Sequence, residues 1–251
     1  MNNILSIKHL QKSFLTGFTQ TKRHTVLKDV SFHIESWEIY GFLGINGSGK
    51  TTTLENIMWF LQPDSGSITF FGDQTLNNTV RQRIGYALDK TPYFEFLSGW
   101  ENVMMLADYA GVNHTQAKTL ADKLFEKLWL SYAKSYRVQD YSQGMKQRLG
   151  LILSLINDPE LLFRDEPMSG LDPLGRIVVK DLMKELQAQW KTIVFSTHIL
   201  SDVQEIADRF GILAGGEIVY EGQIKDVDTD LEHFFREKVA EVRNLEEIEI
   251  Q

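Results

Sequence analysis

Apolar residues recur along this chain in two periods, and the changes from one to the other mark its elements. Residues 4–10 and 26–34 read as strands, the second alternating through Val26, Lys28, Val30, Phe32 and Ile34 on one face. The polar, basic stretch 15–25 between them reads as a loop. A short apolar run, 39–43, stops at Gly44, and helical spacing resumes over 51–61 through Leu54, Ile57, Met58 and Leu61. The turn signal Pro63-Asp64-Ser65-Gly66 precedes a strand at 68–71 that Gly72-Asp73 closes.

From about residue 89 the pattern becomes helical. Ser98-Gly99-Trp100-Glu101 has the form of a capping box and opens a helix to residue 110. A second helix covers 115–130, with Leu120, Leu124 and Leu128 at i+4 steps on a packed face, and a third begins after Ser142 and ends before Pro159. Strand and helix then alternate: 161–164, 173–187, 192–196, 201–208, 210–213 and 218–220. Alternation of this kind predicts an α/β fold with a largely parallel sheet covered by helices. The expected organisation is one domain, with a core from 1–88 and 159–226, a helical insertion over 89–158 and an extension over 227–251. The acid-rich end, 241–251, fits an edge strand, a helix extension or a loose tail equally well.

Composition narrows the class. With 43% hydrophobic and 24% charged residues the chain is an ordinary globular one, and a net charge of −8 gives no electrostatic footprint for nucleic acid or anionic lipid. Protein partners are expected instead. Cysteine is absent, which removes disulfides, thiolate chemistry and cysteine-bound metals. No leader pattern opens the sequence and no window is long and apolar enough to span a bilayer, so a membrane role would come through a partner.

The candidate chemistry sits in two stretches. Gly44-Ile45-Asn46-Gly47-Ser48-Gly49-Lys50-Thr51 fits the G-x-x-x-x-G-K-[ST] phosphate loop, where backbone N–H groups close around phosphate oxygens at a helix N-terminus. Lys50 would reach the β- and γ-phosphates and the Thr51 hydroxyl would be a Mg²⁺ ligand, with Thr52 beside it. Far downstream, Leu161-Leu162-Phe163-Arg164-Asp165-Glu166 reads as a strand ending in two carboxylates. Asp165 would hold Mg²⁺ and Glu166 would orient or deprotonate the attacking water. The cofactors this pattern calls for are ATP and Mg²⁺.

Tyr141-Ser142-Gln143-Gly144-Met145-Lys146-Gln147-Arg148, about 20 residues before Asp165, resembles the signature of the ATP-binding cassette family. The resemblance extends along nearly the whole chain. Ser169-Gly170-Leu171-Asp172 is similar to the family's D-loop, and Ser196-Thr197-His198 to its switch histidine. It implies a P-loop NTPase (RecA-like) core, an antiparallel β portion near the N-terminus and an inserted helical subdomain. It also implies that Ser142, Gln143 and Gly144 act in trans, touching the γ-phosphate held by a second cassette, and that Asp172 communicates across that dimer. His198 would sense the γ-phosphate, and Phe14, or Phe18 in the following loop, would stack on adenine.

Several positions depart from the family pattern. Asp89 stands where the family has the Q-loop glutamine, and a carboxylate there can still coordinate Mg²⁺ or accept from water. Arg164 occupies a normally aliphatic strand position, where a guanidinium needs a partner or an escape to solvent. Trp37 and Ile45 replace a common glycine and proline. Similar Tyr-Ser-x-Gly-Met sequences occur in cassettes of ABC-2-type exporters. The resemblance therefore implies the ATP-hydrolysing subunit of an exporter, peripheral on the cytoplasmic face of the membrane, joined to a transmembrane permease that docks near residues 89–96 and to an identical or different second cassette. The alternative is a soluble cassette that powers assembly or regulation.

Overall fold

The computed structural model describes residues 3–16, 22–87 and 91–242. In chain order its strands are β1 (Asn3–Thr16), β2 (Lys22–Glu35), β3 (Ile39–Leu43), β4 (Ser65–Phe70), β5 (Ile84–Ala87), β6 (Leu161–Asp165), β7 (Thr192–Thr197), β8 (Arg209–Ala214) and β9 (Glu217–Gln223). The helices are α1 (Lys50–Ile57), α2 (Asn78–Gln82), α3 (Gly99–Tyr109), α4 (His114–Lys127), α5 (Gln143–Leu155), α6 (Pro173–Ala188), α7 (Leu200–Ile206) and α8 (Leu231–Val242). The chain divides into two compact units, residues 1–77 with 194–251, and residues 78–193.

In the first unit the strand order is β4-β1-β2-β9-β8-β3. β1 pairs antiparallel with β2 and β4, β8 pairs antiparallel with β9, and β3 runs parallel to β8. All five residues of β3 are buried, as expected of an apolar run covered on both faces of a parallel sheet. The β1–β2 ribbon is longer than its pattern predicts. Its ladder continues to Thr16 and Lys22, so most of the expected loop 15–25 is strand. The outer ribbon is exposed through residues 22–25, and a strand with no buried face needs no apolar alternation to announce it.

The expected face of β2 is also corrected. Leu10 pairs with Val30 but Lys12 with Leu27, so β2 carries one extra residue between those pairs. That bulge shifts the alternation: Leu27 is buried and Lys28 exposed, while Val30, Phe32 and Ile34 keep the inward face.

Helix α1 stops four residues short of the expected 61. Trp59 takes a left-handed backbone (φ 58°) and the Phe60 N–H reaches back to the Glu55 carbonyl at 2.9 Å, while the Trp59 N–H donates to Asn56 O at 3.0 Å. This Schellman closure recurs at the ends of α4 and α6, with Trp129 (φ 52°) and Trp190 (φ 65°) at the left-handed position. Glycine is the usual occupant there, and Gly111 (φ 71°) fills it after α3. Trp37, the residue in place of the common glycine before β3, is left-handed as well (φ 71°). All four indoles are exposed.

A charged cluster lies where β3 begins. Arg209 Nη1 is 3.0 Å from Glu38 Oε1, and its Nη2 is 2.9 Å from Glu221 Oε1. Glu38 Oε1 also accepts the Glu35 N–H at 2.8 Å. Burial pushes the Glu38 carboxyl up to about 7, against the opposing pull of that N–H and of Arg209. Above the unfolded value near 4.5 the unfolded chain has ionised while the folded chain still holds the proton, so this stabilisation is complete below pH 4.5 and lost as pH rises through 7. We expect the stability of the native chain relative to Glu38→Gln to fall by on the order of 3 kcal/mol from pH 4.5 to 8. Urea unfolding of both chains across that range checks it, and a pH-independent difference would contradict it.

In the second unit β5 runs parallel to β6, Ile84 beside Leu161 through Ala87 beside Arg164. The expected capping box opens α3: Ser98 Oγ accepts the Glu101 N–H at 3.1 Å and Glu101 Oε2 accepts the Ser98 N–H at 2.7 Å. That bond holds the Glu101 carboxyl below the usual range. On α4, Leu124 is buried inside the helix and Leu128 just past its end, with Leu120 half-buried. The alternating β and α elements, the mostly parallel pairing among the central strands and the run of helices between β5 and β6 together make the fold α/β with a helical insertion. Among the described residues no helix is long and apolar enough to cross a membrane.

Candidate nucleotide site

In the first unit β3 delivers the chain into Gly44–Gly49 and α1 takes it out. Two glycines here are forced by geometry. A Cβ on Gly44 would lie 2.4 Å from Ser48 Oγ, and one on Gly49 (φ 106°) would lie 2.7 Å from Leu27 Cδ2. Gly47 (φ 77°) differs, since the space where its Cβ would be is open to 4 Å, which leaves that side of the loop bare for a ligand. Asn46 and Gly47 are exposed, Ile45 is half-buried and Ser48 is buried.

Lys50 folds back over the loop, its Nζ donating to Gly44 O at 2.7 Å and Ile45 O at 3.3 Å. It is buried, so an ammonium is fixed at the start of a helix whose first amides already favour an anion. Thr51 is exposed, Thr52 is half-buried and Thr53 is turned inward to Gly49 O at 2.9 Å. The ribbon β1–β2 runs beneath this loop, through the Leu27 and Val26 contacts to Gly49. Phe14 sits on that ribbon opposite His24, half-buried, with Lys12 Nζ 5.5 Å from the centre of its ring. His198 follows β7 in the same unit, at an exposed turn that Thr197 Oγ1 braces by accepting the Ile199 N–H at 3.0 Å.

The second unit holds the carboxylates and the signature. Asp165 ends β6 and is 2% exposed, whereas Glu166 is half-buried with a left-handed backbone (φ 47°). A glutamate in that conformation is strained, and the turn that imposes it is closed by Ser169 N–H donating to Glu166 O at 3.0 Å. Ser142 caps α5, accepting the Met145 N–H at 3.2 Å, and both Ser142 and Gln143 are exposed. Asp172 caps α6, accepting the Gly175 N–H at 2.6 Å, with Pro173 in the first turn.

The signature and the D-loop-like segment touch each other. A Cβ on Gly170 (φ 69°) would meet Gln143 Cγ at 2.9 Å, and one on Gly144 would lie 3.4 Å from Leu171 Cδ2. Sequence spacing did not reveal that contact. Nor did it reveal the strain at Glu166, for which the only sequence signal was a proline following an acidic pair. Asp89 and Phe18 lie outside the described residues.

The family model for the ABC transporter matches residues 27–169. An uncharacterized ABC transporter ATP-binding protein of Nostoc sp. (strain PCC 7120) is 38% identical over 90% of this chain and 68% of that protein. The lantibiotic transport ATP-binding protein SrtF of Streptococcus pyogenes is 32% identical over 94% of this chain and 97% of that protein. A solved ATP-binding subunit of an ABC transporter superposes with a TM-score of 0.82 at 27% identity, over 94% of this chain and 99% of that one. With the family's model spanning more than half of its length and a relative aligned almost end to end, the chain belongs to the ABC transporter family, as an ATP-binding and ATP-hydrolysing subunit.

Proposed function

We propose that this subunit closes with a second cassette around two Mg·ATP and thereby drives a transmembrane permease, an exporter of the ABC-2 type, from the cytoplasmic face of the membrane. One observation carries the reading: Ser142 and Gln143 stand exposed at the N-terminus of α5, capped and held against the Gly170-Leu171 segment. A capped helix terminus offers amides and a positive dipole end to an anion, and a neighbour's γ-phosphate is the anion the family pattern supplies. The streptococcal relative is a lantibiotic transport protein by name, and this together with the Tyr-Ser-x-Gly-Met form of the signature supports export.

The residues present suit the nucleotide and its metal. The bare side of Gly47 and the fixed Lys50 ammonium fit a polyphosphate, and a hydroxyl from Thr51 with the carboxylate of Asp165 is the hard-oxygen donor set that Mg²⁺ takes alongside phosphate oxygens. Bound Mg²⁺ would neutralise charge on the β- and γ-oxygens. Gly44 through Thr52 hold the phosphates, and Phe14 offers a face to adenine without reading it. Glu166 accepts a proton from the attacking water, whose oxygen bonds to the γ-phosphorus as the bond to the bridging oxygen breaks, giving ADP and phosphate. The left-handed backbone of Glu166 sets the direction in which its side chain leaves the end of the strand. His198 and Asp172 report the γ-phosphate and the partner, and Asp89 contributes to the metal or water.

Closure follows only because ATP binds the closed pair better than the open one. The test is co-purification from detergent-solubilised membranes. We expect a polytopic membrane protein to accompany the tagged chain; a complex found solely in the soluble fraction would favour a soluble cassette and end the permease reading.

A further inference from the structure

Among the described residues Arg164 is the largest fully buried side chain, 1% exposed, directly before Asp165 on β6. Its Nη2 donates to Gln147 Oε1 at 3.3 Å and to Gln147 O at 3.5 Å, and Gln147 lies one turn into α5 from the Ser142 cap. The rest of the fork faces Gly150, one turn further on. A Cβ placed on Gly150 would lie 2.9 Å from Tyr93 Oη, 3.2 Å from Thr91 Oγ1 and 3.4 Å from Arg164 Nη1, so three polar groups converge in the space this glycine leaves. Tyr93 Oη in turn donates to Lys146 O at 2.6 Å. One guanidinium thus sits where the carboxylate strand, the signature helix and the 91–93 segment meet.

We propose that Arg164 is a positioning residue, which fixes the register of α5 against β6 and so sets where Ser142 stands relative to Asp165 and Glu166. Stability alone gives a weak reason for a charge here. A leucine would keep an apolar side chain on the strand without the desolvation cost, and whole buried ion pairs replaced by apolar residues are often neutral or stabilising. An arginine, by contrast, offers several donors in one rigid plane, which ties two neighbours in a fixed geometry that an aliphatic side chain would leave free to slide. The 91–93 segment lies beside the tie and is joined to the same helix through Tyr93 Oη on Lys146 O.

The inference rests on the reading that α5 completes a neighbouring nucleotide site. The experiment compares Glu166→Gln with Arg164→Leu/Glu166→Gln and Arg164→Lys/Glu166→Gln, measuring thermal unfolding, ATP binding by the monomer, and dimer formation by light scattering as Mg·ATP is raised. For the leucine variant we expect an unchanged or higher Tm, monomer affinity within about twofold, and a half-maximal dimerisation concentration raised by about tenfold or more, the scale of one hydrogen bond to a charged group. The lysine variant, with the charge but not the fork, should fall between. Dimerisation at the parental concentration would overturn the proposal, and so would a leucine variant that unfolds or loses Tm and nucleotide affinity together, which would mark Arg164 as structural. Should Glu166→Gln alone stay monomeric at saturating Mg·ATP, it is the dimer reading that fails.

Discussion

Glu166→Gln is expected to bind ATP as the native chain does and to lose turnover by about two to four orders of magnitude, the usual contribution of a positioned general base. The substitution keeps shape and removes the acceptor. Because the left-handed backbone at residue 166 is set by the surrounding turn, with Ser169 N–H on its carbonyl, the amide should occupy the place of the carboxylate. Without hydrolysis the closed state has no exit, so an ATP-bound dimer should accumulate. Phosphate release gives the rate, equilibrium dialysis the affinity and light scattering the dimer. Hydrolysis at the native rate would remove Glu166 from its assigned role.

Lys50→Ala should act one step earlier, on binding. The native ammonium is buried and pinned by two carbonyls of its own loop, so it meets the phosphates with little ordering left to do. Losing a charge-assisted contact of this kind costs roughly 1.5–3 kcal/mol, or about 10- to 100-fold in affinity. The loop itself should survive, since its path is dictated by Gly44, Gly49 and the Thr53 hydroxyl bond to Gly49 O. The unliganded Tm should therefore change little while the rise in Tm produced by ATP disappears. Unimpaired ATP affinity would refute the phosphate-loop assignment.

The turns and caps around these residues were readable in the sequence because each motif is a statement about backbone. Gly44 and Gly49 are glycines for reasons of space, and Ser98 and Ser142 cap because a hydroxyl three residues before a free amide has that geometry available. The alternation of elements gave the α/β class for the same reason, since burial on both faces leaves an unbroken apolar run such as β3. What stayed hidden depended on partners remote in sequence. The outer β1–β2 ribbon has an exposed, polar surface and only its cross-strand ladder marks it. The bulge that turns Leu27 inward is a property of two strands at once. Arg164 stood out as a buried cation in need of company, but nothing local names Gln147 as the company.

The tryptophans at the helix ends carry a consequence for how this sequence can change. Trp59, Trp129 and Trp190 each hold a left-handed backbone that costs an L-residue on the order of 1 kcal/mol, in motifs where glycine is at ease. Natural chains drift until they sit a little above the threshold their function demands, not at an optimum. Indoles stand at three reversals where glycine would be unstrained, which leaves this chain three separate routes by which a single-codon substitution could offset harm done elsewhere, each at a helix end outside the glycine-rich loop and the acidic pair.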